Sequence, residues 1–140
     1  QKSQKNRMRV IVDTSVWSLA LRRCDPVNSP EVKALIDLIQ GGRAVMIGAV
    51  RQEILSGVRH NEQFLRLSAA LDAFPDEPIG AEDYVEAARI CNACLSHGVS
   101  TGNTDCLIAA IATQRGMEVL STDQDFVNML KVIPLRLFVQ

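Results

Sequence analysis

The chain is 140 residues long, 47% hydrophobic and 22% charged, with a net charge of −1 at pH 7. This length argues for one domain, and this composition excludes a disordered chain. No apolar run approaches the roughly 18 residues needed to span a bilayer, and the charge balance lacks the basic surplus usual in nucleic-acid binders.

Residues 1–7, QKSQKNR, are polar and lack the apolar segment of a signal peptide. They are set apart as tag or flanking sequence, with Met8 as the expected natural start and 8–140 as a single domain. Arg9 to Asp13 then reads as a short buried strand. Thr14-Ser15 offers cap chemistry for a helix through about Leu21, and a loop holding Cys24-Asp25-Pro26 follows. Ser29-Pro30-Glu31 opens a second helix as cap, first-turn proline and acid, and Gly41-Gly42 ends it. Ala44 to Gly48 is the second strand and Ala49 to Gly57 a helix. Glu62 to Leu71 continues helical until Pro75 and Pro78 break the pattern. Glu82 to His97 forms a long amphipathic helix stopped by Gly98, and Thr104 to Arg115 another closed by Gly116. Glu118 to Ser121 is the third strand, Asp125 to Leu130 a short helix, and Leu135 to Val139 a last edge strand. Strand and helix patterns alternate throughout. The continuous apolar strands VIV and AVMI fit a parallel sheet covered on both faces, so the class is α/β.

Four cysteines, Cys24, Cys91, Cys94 and Cys106, are expected as free thiols in a reducing cytoplasm, because no export signal is seen and the core suffices without cross-links. Cys91-x-x-Cys94 with His97 lacks the second ligand pair that a zinc site needs. Trp17, beside Val16 on the first helix, suits core packing or a dimer contact.

Four acids fall where such a sheet gathers ligands, beyond the carboxyl ends of its strands or at adjoining helices. Asp13 ends the first strand, where an Asx-turn or cap role also accounts for it. Glu53 lies on the apolar flank of its helix between Ala49 and Gly57, and needs a partner there. Asp105 stands at a helix start, where the helix dipole favours an acid, but it also heads the apolar stripe of Ile108, Ala109 and Ala112. Asp123 follows the third strand closely and is the fourth site acid. Asp125, two residues on, suits the N-cap and an outer supporting role. Acids crowded into one cleft repel one another unless divalent cations fill it. Hard cations such as Mg²⁺ take oxygen ligands, and two of them can activate water and neutralise a leaving oxygen. The constellation points to a metal-dependent enzyme that cuts phosphodiester bonds. Both histidines, His60 and His97, lie outside it.

The segments VIVDTSVW, RQEILSG, NTDCLIAAIA and LSTDQDF occur in the order and spacing of PIN-domain ribonucleases, and the chain resembles the VapC-type toxins of toxin–antitoxin pairs from about Met8 to Phe138. The resemblance implies a three-layer α/β/α fold with a central, mostly parallel sheet. It implies a Mg²⁺- or Mn²⁺-dependent endoribonuclease, commonly a homodimer neutralised by a VapB-like antitoxin. Asp13, Glu53, Asp105 and Asp123 match the family's acids, and Ser15 and Thr122 match small hydroxyl positions that support the metal shell. Cys106, directly after Asp105, departs from the usual pattern. Since the family also contains RNA-processing nucleases outside toxin systems and members without activity, a processing nuclease and a noncatalytic RNA- or antitoxin-binding module stand as alternatives. A phospho-accepting signalling domain is disfavoured, because Asp13 has no adjacent acid and Lys131 is poorly placed.

RNA binding requires basic side chains around the cleft. Arg22, Arg23, Arg51 and Arg59 are the expected contributors, although Arg22 and Arg23 also suit a helix C-terminus. Aromatic residues make up only 4%, so the sequence shows no base-stacking platform.

Overall fold

The structure, a computed structural model, describes residues 8–22 and 29–140. Three parallel strands lie in the order β2-β1-β3: β1 (Val10–Val12) is central, flanked by β2 (Ala44–Val45) and β3 (Glu118–Leu120). All three β1 residues are buried β-branched side chains, which fit a pleat covered on both faces. Val10 stands opposite Ala44 and Glu118, Ile11 opposite Val45 and Val119, and Val12 opposite Leu120.

Two expected strands are shorter than their sequence patterns. β2 stops at Val45, because Ile47 is already the N-cap of the next helix and Met46 forms an isolated parallel bridge with Asp76. The expected edge strand over Leu135 to Val139 survives as one parallel bridge between Leu137 and Val119. Pro134 has no N–H, and Leu135 donates to the Ile133 carbonyl at 2.8 Å in a tight turn, so only Arg136 and Phe138 bond to the Val119 backbone.

The described residues form seven helices: α1 (Thr14–Arg22), α2 (Pro30–Gln40), α3 (Gly48–Leu55), α4 (Asn61–Leu71), α5 (Ala81–Ser96), α6 (Asn103–Arg115) and α7 (Gln124–Met129). α2 starts as its sequence predicts, with the Ser29 hydroxyl accepting the Val32 N–H at 3.4 Å. α6 ends at Gly116, whose φ of +65° is a left-handed conformation that costs other residues about 1 kcal/mol.

The chain crosses the sheet in one direction from β1 to β2, and in the other from β2 to β3. Right-handed crossovers then place α2, which packs on β2, and α6, which packs on β1 and β3, on opposite faces. This is the expected α/β/α layering. α6 is apolar nearly all round and is buried between the sheet and α5. Trp17 is core: it is 1% exposed and meets Phe74 edge to face at 5.0 Å. Cys91, Cys94 and Cys106 are free thiols, whereas the Cys24 loop and residues 1–7 lie outside the described residues. Among the described residues, no helix is long and apolar enough to cross a membrane.

Candidate active site

The sheet register builds the site. Asp13 follows Val12 and Ser121 follows Leu120, so these two residues leave neighbouring strands side by side. The Asp13 N–H donates to the Leu120 carbonyl at 2.9 Å, and the Asp13 carbonyl accepts from Val16 and Trp17 at the start of α1. Its carboxylate is 5% exposed, and a buried charge of that kind needs strong partners. It has two. The Ser15 and Ser121 hydroxyls both donate to Asp13 Oδ2 at 2.8 Å. Each hydroxyl also accepts a backbone N–H from the turn after β3, Ser15 from Thr122 at 3.2 Å and Ser121 from Asp123 at 2.9 Å. One oxygen of Asp13 is thus fixed, and Oδ1 is committed to neither serine.

Glu53 arrives from α3. It is exposed, and its Oε1 accepts the Thr14 hydroxyl at 2.6 Å, which is the partner its position on the helix demands. Asp105 comes from the first turn of α6 and is half-buried. Carboxylate oxygens of Asp105, Asp123 and Asp125 lie within 4.8 Å of one another. Burial first, and then the negative charges of Asp13, Asp123, Asp125 and Glu53, push the Asp105 carboxyl up from 3.8 to about 7. Asp105, Asp123 and Asp125 therefore form one tight group, and the carboxylates of Asp13 and Glu53 are near enough for their charge to act on Asp105.

Three expectations need correction. Asp123, not Asp125, is the N-cap of α7: its Oδ1 accepts the Asp125 N–H at 2.9 Å. The supporting hydroxyl after β3 belongs to Ser121 rather than Thr122, which is exposed and contributes its backbone N–H. Side chains alternate along an extended chain, so Ser121 and Asp13 share a direction that the register reveals and the sequence alone does not. Arg51 is not a free RNA contact. Its guanidinium bonds Asp76 Oδ1 at 2.9 and 3.1 Å, the Leu71 carbonyl at 3.0 Å, and the Phe74 carbonyl. Arg59 is exposed and makes no ion pair with a described residue. Arg23 and the side chain of Arg22 lie outside the described residues.

The cluster fits a hard divalent cation. Its donors are carboxylate and hydroxyl oxygens with no thiol or imidazole among them, and a cation relieves the mutual repulsion recorded at Asp105.

The PIN domain family model matches residues 10–131. "VapC ribonuclease Mb1587" of Mycobacterium bovis is 28% identical over 129 residues, covering 91% of this chain and 96% of that protein. "Ribonuclease VapC11" of Mycobacterium tuberculosis matches to the same extent. Among solved structures, FitAcB from Neisseria gonorrhoeae superposes with a TM-score of 0.72 at 20% identity, covering 93% of this chain and 96% of that one. VapBC2 from Rickettsia felis, bound to a DNA fragment from its promoter, superposes with a TM-score of 0.70 at 15% identity, covering 94% and 98%.

Proposed function

We propose that this chain, which belongs to the PIN domain family, is a metal-dependent endoribonuclease and the toxin of a VapBC-type pair. The observation that carries the reading is the set of carboxylates around Asp105: Asp123 and Asp125 each present an oxygen within 4.8 Å of its own, and the charges of Asp13 and Glu53 act on it as well. The curated relatives are named VapC ribonucleases, and their names support the same activity here.

In this reading Asp13, Glu53, Asp105 and Asp123 would hold Mg²⁺ or Mn²⁺, with Ser15 and Ser121 fixing Asp13, and with Thr122 and Asp125 at the edge of the site. The cation supplies charge neutralisation at the scissile phosphate and activation of water. Asp105 and Asp123 present oxygens from two different elements within 4.8 Å of one another, so a cation would sit between them and offset the charge of both the acids and the phosphate. The paired serines keep Asp13 from turning away when RNA arrives. Glu53 is the exposed acid of the set, and the Thr14 hydroxyl that donates to its Oε1 orients it. Residues 8–140 act as one nuclease domain, as a homodimer in the cytoplasm, with an antitoxin chain as partner. Structures of the VapBC and FitAB type support the partner assignment.

The test is cleavage of RNA by purified protein with Mg²⁺ or Mn²⁺, beside Asp13→Asn. Cleavage by the wild type should fall by at least about 100-fold in the variant, since even outer-shell changes cost 10–100-fold. Equal cleavage by the two proteins rejects the assigned site.

A further inference from the structure

A groove of about 380 Å³ lies between α5 and the start of α6, the helix that carries Asp105. Asn103 and Thr104, the two residues before Asp105, form part of its wall. α5 lines it with Tyr84, Ala87, Ala88 and Cys91, which share one helical face at three- and four-residue spacing. Ala49 adds a further wall, one helical turn before Glu53 on α3. The groove is therefore continuous with two helices that carry site acids.

Its chemistry differs from that of the cluster. The walls are small and mostly apolar, with no carboxylate or cationic side chain among them, so they suit the uncharged face of a base rather than a phosphate. Tyr84 lines this groove and is 57% exposed, which leaves a large aromatic side chain open to a ligand. Asn103 is exposed and offers an amide donor and acceptor together. The volume lies within the range of sites that take small organic ligands.

We propose that this groove receives a nucleobase of the RNA next to the scissile phosphate, with the Tyr84 ring as its stacking surface and the Asn103 amide contacting its edge. The inference rests on the ribonuclease reading. A phosphate held by a cation at Asp105 has its neighbouring base within one nucleotide's length, and the groove wall at Asn103 and Thr104 is two and one residues from Asp105. Stacking is sequence-tolerant, because every base has a π-face, and the single amide supplies a preference among base edges.

The experiment uses a short RNA with one cleavage site, and the same RNA made abasic at each nucleotide flanking the cut. For the wild type, one abasic position should lower kcat/KM by about tenfold or more, the usual scale for losing one stacked base. Tyr84→Ala should lose a similar factor on intact RNA, carried by KM, and should lose little more on the abasic RNA. Ala88→Phe changes an exposed position, fills the groove without disturbing the core, and should reproduce the loss. Mn²⁺ affinity should be unchanged in both variants. Undiminished cleavage by Tyr84→Ala and Ala88→Phe, or a full abasic penalty retained in Tyr84→Ala, overturns the inference. RNA binding by the Asp13→Asn protein gives a readout independent of cleavage. If the wild type cuts nothing, binding weakened by Tyr84→Ala and by the abasic change keeps the groove while the nuclease reading falls. If binding is unmoved by both, the groove assignment fails. RNA kinetics unaffected by Ala88→Phe, with binding of a leucine-rich peptide abolished, also overturns it and assigns the groove to protein.

Discussion

Asp105 stands where burial and four neighbouring carboxylates raise its pKa to about 7. Between its ordinary 3.8 and that value, the folded chain holds a proton that the unfolded chain releases, so metal-free stability falls as pH rises through this window. Asp105→Asn removes the charge while keeping the shape. Its metal-free Tm should exceed that of the wild type, by more at pH 8 than at pH 5, and Mn²⁺ should raise it far less. Thermal scans at both pH values check this, and a lower Tm at pH 8 with the Mn²⁺ rise intact contradicts it. Ser121→Ala leaves Asp13 with one hydroxyl instead of two. Cleavage should drop by about 10–100-fold, as for other outer-shell partners, with Tm within a few degrees of wild type. A cleavage rate equal to wild type removes Ser121 from the site. The four candidate acids could be picked out because each sits at a recognisable strand end or helix flank. Ser121 could not, because its role depends on which strand lies beside β1, a long-range pairing that no local pattern encodes.

At the scale of elements, α3 shows how a surface-looking arginine can be structural. Arg51 reaches from α3 to the carbonyls of Leu71 and Phe74 and to Asp76, and so ties the end of α4 and the chain beyond it to the helix that carries Glu53. Arg51→Ala leaves those acceptors without their cationic donor. The expected cost is about 2–3 kcal/mol in denaturant unfolding, the scale for hydrogen bonds to a charged group. RNA affinity should stay near wild type once the variant is folded. Lost affinity in a variant of unchanged stability would restore the RNA-contact reading. The helices were largely legible, since Ser29-Pro30 and Gly116 carry local cap chemistry that needs no tertiary partner. The last strand was less so. Leu135 to Val139 has strand-like composition, but the turn at Pro134 and a single pairing at Leu137 are decided by how the tail meets β3.

Over the whole molecule, α6 has a different polar task at each end. Its first turn presents Asp105 to the metal cluster, while its last turn places Arg115 between Glu77, at 2.6 Å, and Asp83, at 2.8 Å. Burial raises the Glu77 carboxyl, but hydrogen bonds and charge from Arg9 and Arg115 outweigh it and hold the group below its ordinary range. That ion network contributes stability that is lost on acidification, opposite in sign to the Asp105 effect. The layered parallel fold followed from alternating strand and helix patterns, and the sheet order explains why acids distant in sequence meet at one edge. Calorimetric titration with Mn²⁺ at pH 6 and pH 8, on the wild type and Asp105→Asn, tests that meeting most directly. The wild type should bind more tightly at pH 8, release close to one proton at pH 6 and far less at pH 8, and Asp105→Asn should bind at least about tenfold more weakly. No Mn²⁺ binding at either pH, or equal affinity in the two proteins, would contradict the proposal that these carboxylates hold one cation site.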